Sequence, residues 1–385
     1  MGLDNTAARQ RARFCLTPER TRPTLFAVDE NDACAHVGAT TQRPPAPAVG
    51  RCACPPSPTR RGFSRRQGGI TASAGRKAPM SYRYFFACGG AVTLRDLDVA
   101  LACGQRDFLV SVGTSAATHL RALPDINVVL DSAAWPMHNP KRPPFDAWWQ
   151  AIRHWRQGHG DYGNLEYAIA YDTIGNAPAT AEAYAETRDR MFVRAPDTPI
   201  VPVLGYGQSP VAISIELMEG WEGMRPDLVD GDGSYVRPAF ALGGLVPQHG
   251  SKAAIAWVAS VAAVIAELVD DGWDEDALGV HVLGSTHLPY LRPLAATGIP
   301  VRCDTSTPVQ QAKASEAALS WGFTDRYGLP RDLLQRARYA RVAFWLCRER
   351  DKLGLPWQTP DAAWLEELPR LTPIVRPQQH ALFAV

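Results

Sequence analysis

Three aspartates each close a short apolar segment, and a carboxylate in such a position can act as a nucleophile or as a general acid and base. They end the segments Ile126-Asn-Val-Val-Leu-Asp131, Tyr167-Ala-Ile-Ala-Tyr-Asp172 and Ile299-Pro-Val-Arg-Cys-Asp304. Buried parallel strands have this pattern, and in a (β/α)8 barrel their carboxyl ends meet at the catalytic face. Because helical stretches separate the segments, we expect one shared pocket. The alternative is that each Asp only caps the helix that follows.

The strands and helices that must position these aspartates recur along residues 80–325. Strands are predicted at 82–87, 107–112, 126–131, 165–172, 199–204, 237–242, 278–283 and 299–304. Helices are predicted at 92–103, 145–157, 178–192, 208–220 and, most clearly, 252–271, where apolar residues recur at spacings of three or four. Eight strands close a barrel, so the predicted fold class is an α/β (β/α)8 TIM barrel.

The chain becomes helical and arginine-rich after the last predicted strand, over residues 309–353. One interpretation is a phosphate-facing surface, for which Arg336 and Arg341 are the candidate nucleic-acid contacts. The other is an ordinary amphipathic helix that closes the barrel with a solvated charged face. We expect residues 326–385 to form a helical C-terminal extension that packs on the barrel.

The first 80 residues differ from the rest in charge. The whole chain has 40 Lys and Arg and 39 Asp and Glu, but residues 1–80 contain 13 basic and 5 acidic residues. This segment is rich in Pro, Arg, Ala, Thr and Gly without a regular period, so residues 1–79 are predicted to be disordered. Met80 precedes the first predicted strand. The segment is therefore either the product of a mis-assigned start or a basic arm that binds nucleic acid.

Sequence features that would indicate export, a membrane span or a metal site are weak. Thr59-Arg-Arg-Gly-Phe63 faintly matches a twin-arginine signal, but no apolar segment follows it. No uninterrupted apolar stretch reaches the roughly 18 residues that a membrane span needs. The chain has 8 cysteines without CxxC spacing, which predicts a reducing, cytoplasmic location and no bound metal. Those expected to be buried thiols are Cys88, Cys103, Cys303 and Cys347.

Two segments favour the binding of a flat, polar ring. Asp131-Ser-Ala-Ala-Trp135 places an aromatic side chain just beyond a carboxylate, and stacking on such a ring contributes roughly 1 to 3 kcal/mol per base. Ala241-Leu-Gly-Gly-Leu245 ends another strand with a glycine pair, whose backbone N–H groups can approach a ligand closely. A core tryptophan and a simple tight turn are the alternatives.

Four motifs, in this order, resemble those of the tRNA-guanine transglycosylases. Asp131-Ser-Ala-Ala-Trp135 resembles their Asp-Ser-Gly-Gly-aromatic motif, and Ala170-Tyr-Asp172 resembles their base-recognising segment. Ala241-Leu-Gly-Gly-Leu245 resembles their Ala-(Ile/Leu)-Gly-Gly-Leu loop, and Val301-Arg-Cys-Asp304-Thr-Ser-Thr-Pro308 resembles their nucleophile segment. The resemblance extends over residues 80 to about 325 and implies the exchange of a guanine base in a nucleic acid without a cofactor.

The resemblance implies a role for each matched residue. Asp304 would attack C1′ and expel guanine, which leaves a covalent nucleotide–enzyme intermediate. Asp131 would act as general acid and then as base, and Asp172 would hydrogen-bond the pyrimidine edge of the base. The other base-binding residues would be Trp135 by stacking, Gly244 by its N–H, and their neighbours Ser132, Gly243 and Leu245.

The sequence departs from that of the tRNA enzymes in two places, which concern a zinc site and the recognition of the incoming base. Those enzymes have a Cys-X-Cys-X2-Cys…His zinc site after the nucleophile, whereas this chain has only Cys347 and His380 in that region, so no zinc is expected. Their Val-Gln-Gly-Gly base-reading segment is Val203-Leu-Gly-Tyr206 here, and Leu204 stands where a Gln would contact the base. The resemblance therefore leaves the incoming base open.

The chain is most similar to the deoxypurine-in-DNA protein A family, which looks like the tRNA enzyme but exchanges guanine in DNA for a 7-deazaguanine such as preQ0. The missing zinc subdomain belongs to the tRNA-docking apparatus, so DNA is the expected partner, within a DNA-modification system whose other proteins are unknown. A tRNA-acting transglycosylase, a barrel glycosidase and a non-catalytic nucleic-acid-binding barrel are the alternatives. All three strand ends are Asp and none is Glu, which disfavours the glycosidase.

Overall fold

A computed structural model describes residues 82–370, with gaps at 90–91, 124, 135–142, 158–163, 195–199, 212–237, 274, 276–277 and 315–326. Several sequence predictions fall outside the described residues: those for residues 1–79, for Met80, for Trp135 and for His380. Of the helix predicted at 208–220, only residues 208–211 are described.

Nine parallel strands form one sheet that is nearly closed into a (β/α)8 TIM-like barrel, as the sequence predicts. The strands are β1 (Tyr82–Cys88), β2 (Asp107–Ser111), β3 (Asn127–Asp131), β4 (Leu165–Ile169), β5 (Ile200–Val201), β6 (Val203–Gly205), β7 (Phe240–Gly243), β8 (Val280–Val282) and β9 (Val301–Thr305). Neighbouring strands follow the order β5-β4-β3-β2-β1-β9-β8-β7-β6. The two ends of this order, β5 and β6, are halves of the single strand predicted at 199–204.

The barrel closes at Pro202, which separates β5 from β6. The carbonyl of Val201 accepts a hydrogen bond from the N–H of Ala170, after β4, and the carbonyl of Pro202 accepts one from Ala241 on β7, both at 2.8 Å. Proline has no N–H to donate to a ladder, so pairing is interrupted at this residue. The chain therefore changes its partner from β4 to β7 within two residues.

Helices cover the outside of the barrel between most of the strands. They are α1 (Leu94–Ala102), α2 (Ser115–Arg121), α3 (Phe145–Gln157), α4 (Ala177–Arg194), α5 (Lys252–Asp270), α6 (Leu288–Ala295), α7 (Thr307–Ala314), α8 (Arg331–Arg336), α9 (Arg338–Lys352) and α10 (Ala362–Glu367). Thr93 and Asp96 form a capping box that begins α1, and Ser251 caps α5. The sequence did not predict the short helices α2 and α6, and α6 contains Pro293.

Helix α5 is long and apolar enough to cross a membrane by length and composition alone, with a mean hydropathy of 1.9. It lies between β7 and β8 in the outer layer of the barrel. Its buried residues form one face and pack inward: Ala254, Val258, Val261, Ala262 and Ile265. One such helix is weak evidence for a membrane span, because a barrel helix passes the same test.

The helices after β9 pack against the barrel. Helix α9 lies against α7 and α1, and Arg338 at its start forms an ion pair at 2.8 Å with the fully buried Asp96 of α1. Buried charges of this kind are found where they are paired. These contacts favour the interpretation of α9 as an amphipathic helix that closes the barrel.

A network of charged side chains joins strands β1, β2, β4 and β9. The guanidinium groups of Arg83 and Arg302 both donate to Glu166 Oε1, at 2.7 and 2.8 Å, and Arg83 also donates to Asp107. The register between β3 and β4 shifts by one residue at Glu166. Because of this extra residue, the sequence neighbours Glu166 and Tyr167 both contact Arg302.

Replacing Glu166 by alanine should destabilise the protein by about 1.5 to 3 kcal/mol, because it removes the carboxylate that accepts charged hydrogen bonds from both Arg83 and Arg302. The free energy of unfolding, measured in urea, tests this. Asp332→Ala is the control, since it breaks an exposed pair with Arg336 and should cost less than about 1 kcal/mol. Equal losses for the two variants would contradict a stabilising role for the charged network.

Candidate active site

The three strand-end aspartates converge at the carboxyl ends of β3, β4 and β9. Asp131 is the last residue of β3, Asp172 follows β4, and Asp304 lies in β9. The negative charges of Asp172 and Asp304 both act on the carboxyl group of Asp131. The structure therefore brings together the carboxylates that the sequence predicted to share a pocket.

The carboxyl group of Asp131 has a perturbed acidity. Burial, reinforced by the charges of Asp172 and Asp304, raises the pKa of Asp131 to about 7. Two hydrogen bonds lower the pKa in part. They come from the N–H of Ala133 at 3.0 Å and from Ser111 Oγ at 3.2 Å. A group that gains and loses its proton near neutral pH is suited to serve as both acid and base.

Ala133 points its N–H at Asp131 by adopting a left-handed backbone. Its φ is +60°, and it is the one non-glycine residue with a positive φ in the part of the chain that the structure describes. This conformation costs an L-amino acid about 1 to 2 kcal/mol. The strain lies next to a candidate catalytic carboxylate, where strained backbone is often found.

Asp172 is held by a serine from the neighbouring strand end. Ser132 Oγ donates to Asp172 Oδ1 at 2.6 Å, and both side chains are buried. Gly243 lies on the other side of this carboxylate. A Cβ added at Gly243 would stand 3.6 Å from Asp172 Oδ2 and only 2.8 Å from Val203. Only a glycine permits this close approach.

The next two residues of the glycine loop differ in what they could offer a ligand. Gly244 has a φ of +74°, and an added Cβ would stand 3.4 Å from the backbone N of Tyr206. The Cβ of Tyr206 is equally close, at 3.4 Å, and glycine adopts this left-handed backbone without steric cost. The side chain of Leu245 is fully buried in the core. The predicted role of Leu245 in substrate binding is therefore limited to its backbone.

Asp304 is nearly buried, and two donors hold one of its oxygens. The N–H of Gly284 donates to Asp304 Oδ1 at 2.9 Å, and Nε2 of His281 lies 3.0 Å from the same oxygen. Sequence reasoning missed both partners. The available signal was a histidine inside the apolar strand Val280–Val282, since a buried polar side chain must find hydrogen-bond partners.

The two arginines predicted to contact nucleic acid are held by the protein itself. Arg336 forms ion pairs with Asp332 at 2.5 Å and with Glu366 at 3.1 Å. Arg341 donates at 3.0 to 3.1 Å to three main-chain carbonyl groups, those of Ala312, Leu334 and Gln335. Both arginines thus have partners within the C-terminal helices, and their contact with nucleic acid stays a prediction.

The cysteines of the described residues are buried free thiols, as predicted: Cys88, Cys103, Cys303 and Cys347. Burial raises the pKa of Cys303, the neighbour of Asp304, far above its usual range. This thiol therefore remains protonated. Among the described residues, no group of three or more His, Cys, Asp or Glu side chains is arranged to hold a metal ion.

A separate cavity of about 510 Å³ lies between α2 and α3. Its lining is mostly apolar and includes Val112, Leu130, Ala151 and Trp155, with Arg121 and His154 among the polar residues. None of the three aspartates contributes to it. The cavity is therefore distinct from the carboxylate cluster.

Neither a scan against protein-family models nor a search of curated proteins finds a match for this chain. Its function must therefore be inferred from its own residues and their geometry.

Replacing Ala133 by glycine should stabilise the fold by about 0.5 to 1 kcal/mol, because glycine adopts a positive φ without the steric cost that alanine bears. Thermal unfolding measures the change. Ala134→Gly is the matched control, because Ala134 lacks the positive φ. The control should lose stability through the added freedom of the unfolded chain. If both variants lose stability alike, the inferred strain at Ala133 is absent.

Replacing Asp131 by asparagine should stabilise the fold at pH 8 by about 1 to 2 kcal/mol, because the variant holds no ionised carboxylate at this crowded position. The folded-state pKa of Asp131 is raised to about 7. The folded protein therefore binds this proton more tightly than the unfolded chain, and stability falls as pH rises from about 4, the unfolded value, to 7. Urea unfolding at pH 5 and pH 8 tests this. A gain of equal size at both pH values would contradict the raised pKa.

Proposed function

We propose that this chain is a nucleic-acid guanine transglycosylase that exchanges guanine for a 7-deazaguanine in DNA through a covalent aspartyl–nucleotide intermediate. The observation that supports this most is the different environment of two converging carboxylates. The pKa of Asp131 is raised to about 7, whereas Asp304 Oδ1 accepts two hydrogen bonds. One carboxyl group suits proton transfer and the other suits attack as an anion. The resemblance of the four motifs to those of the tRNA-guanine transglycosylases is the reason for proposing guanine as the base that leaves.

In the first step, a lone pair of Asp304 forms a bond to C1′ of the target nucleotide while the bond from C1′ to the guanine nitrogen breaks. The electron pair of the broken bond goes to the departing base. Asp131 gives that base a proton, which it can hold at neutral pH because its pKa is about 7. A carboxylate suits the attack, since the glycosidic carbon passes through a cationic, oxocarbenium-like state.

In the second step, the incoming base attacks C1′ and the bond to Asp304 breaks. The ionised Asp131 now takes the proton from the incoming base, and the electron pair of the broken ester returns to Asp304. Asp131 is thereby reset for the next cycle. The same residue can serve both steps because it lies near the midpoint of its titration at neutral pH.

Base recognition falls to Asp172 and the glycine loop. The carboxylate of Asp172, fixed by Ser132, is suited to accept hydrogen bonds from the N–H groups of a pyrimidine edge. Gly243 lies beside this carboxylate, where an added Cβ would stand 3.6 Å from Asp172 Oδ2, and its lack of a side chain permits the close approach. Leu204 is buried and offers no amide, so the incoming base is read with one polar contact fewer than the tRNA enzymes are expected to use.

The proposed partners are DNA and a free 7-deazaguanine base, and the proposed location is the cytoplasm. DNA is preferred to tRNA because residues after Asp304 lack the cysteine spacing of a tRNA-docking zinc subdomain. The target nucleotide must leave its base stack to reach a pocket at the barrel mouth. A tRNA substrate is the alternative that the experiment below distinguishes.

Asp304→Asn should abolish both base exchange and any denaturant-stable adduct with nucleic acid, because an amide is a far weaker nucleophile than a carboxylate. The amide oxygen can still accept the bonds from Gly284 and His281, so the fold should persist. Wild type and variant are incubated with labelled guanine and either duplex DNA or tRNA, and the nucleosides are analysed by mass spectrometry.

The control is Asp332→Asn, an exposed carboxylate that should leave exchange unchanged. Incorporation into DNA alone supports base exchange in DNA, and incorporation into tRNA alone overturns the choice of polymer. Near-normal exchange by Asp304→Asn would remove the assigned nucleophile.

A further inference from the structure

His281 links the candidate nucleophile to a buried tyrosine. Its Nε2 lies 3.0 Å from Asp304 Oδ1, and its Nδ1 lies 2.7 Å from the hydroxyl of Tyr167. Both ring residues are completely buried. The role of Asp304 described so far uses this histidine only as a hydrogen-bond partner.

The hydrogen bonds fix which nitrogen of His281 has the proton. An ionised carboxylate only accepts, so Nε2 must donate to Asp304. Nδ1 of a neutral imidazole is then an acceptor, and Tyr167 must donate to it. Burial raises the pKa of Tyr167 far above its usual range, so the phenol keeps the proton that this arrangement needs.

The rings are held in place by their neighbours. The ring centre of Phe85 lies 5.3 Å from that of His281 and 6.3 Å from that of Tyr167. The guanidinium of Arg302 lies 5.3 Å from the centre of the Tyr167 ring. The imidazole is therefore presented to Asp304 in one orientation.

The two oxygens of Asp304 are not equivalent. Oδ1 accepts from both His281 and Gly284, whereas Oδ2 accepts no hydrogen bond from any residue that the structure describes. Oδ2 is thus the oxygen left to bond to C1′. In the ester that results, Oδ1 is the carbonyl oxygen and still faces the N–H of His281.

We propose that His281 is a positioning residue that accelerates breakdown of the covalent intermediate by stabilising the carboxylate of Asp304 as it is released; this inference rests on the proposed function. A hydrogen bond to an anion is about twice as strong as one to a neutral carbonyl. The bond from Nε2 therefore strengthens as the ester is cleaved and weakens as the ester forms. Tyr167 contributes by fixing the tautomer that can donate.

Cleavage of the ester needs no reactant other than the incoming base. The incoming base forms a bond to C1′ with its nitrogen lone pair and loses its proton to Asp131. The bond from C1′ to Asp304 Oδ2 breaks, and its electron pair becomes the carboxylate charge that Oδ1 and Oδ2 share. His281 keeps its proton throughout, and it changes only the strength of one hydrogen bond.

The test compares His281→Phe with His281→Gln in the full chain. Phenylalanine has no donor, whereas the glutamine amide can place an N–H near the position of Nε2. With labelled DNA, breakdown of the denaturant-stable adduct on addition of free guanine should slow about tenfold in His281→Phe, as expected for one weakened hydrogen bond to a charged group. Adduct formation should change much less, so the adduct fraction at steady state rises. His281→Gln should recover most of the breakdown rate.

His119→Phe is the matched control. His119 is also buried, in α2, and neither of its ring nitrogens has a hydrogen-bond partner among the described residues. The control reports the effect of placing a phenylalanine at a buried histidine and should leave adduct breakdown unchanged. Tyr167→Phe should slow breakdown by a smaller factor, because the donor on His281 remains but its tautomer is no longer enforced. If His281→Phe does not fold, Tyr167→Phe is the variant whose adduct breakdown is measured instead.

The outcomes separate this inference from the proposed function. If the wild type forms no adduct with DNA or with tRNA, the proposed function fails and the role of His281 fails with it. If the wild type forms the adduct but His281→Phe slows formation and breakdown equally, or neither, only the inference about His281 is overturned.

Discussion

Three carboxylates lie together at the carboxyl end of the barrel strands. Their mutual repulsion is offset by proton uptake or by hydrogen bonds from the surrounding residues. Asp131 responds by keeping its proton up to about pH 7. Asp172 receives the hydroxyl of Ser132, and Asp304 receives two N–H groups. Each carboxylate thus has a different set of hydrogen-bond partners, and such differences can give residues of a single type different acidities.

The guanidinium groups of Arg83 and Arg302 donate to Glu166 rather than to Asp304. Arg302 precedes Asp304 by two residues on the same strand, yet its guanidinium lies against Glu166 and the ring of Tyr167. Asp304 instead receives hydrogen bonds from an imidazole and a main-chain N–H in the described part of the chain. A salt bridge would stabilise the ionised carboxylate more strongly than these partners do. The imidazole and the main-chain N–H orient one oxygen of Asp304.

The sequence predicted what depends on local pattern, and it missed what depends on distant contacts. Apolar runs located the strands and their terminal aspartates, and paired glycines located the loop beside Asp172. Pro202 divides one predicted strand because proline has no N–H to donate. The apolar pattern continues through this residue, so it predicted a single strand. Tyr167 and His281 are 114 positions apart, so no local pattern could connect them. The partners of Arg341 were hidden for the same reason, because its three carbonyl partners lie on two other helices.

The change of strand partner at Pro202 leaves one part of the barrel wall thinly paired. Two residue pairs join β5 to β4 and three join β6 to β7, whereas five join β1 to β9. The free energy needed to separate neighbouring strands locally depends on how many ladder bonds must break together. Amide hydrogens at this seam therefore exchange with solvent deuterium sooner than those of β1 and β9. Asp304 lies away from this seam, on β9, which five residue pairs join to β1.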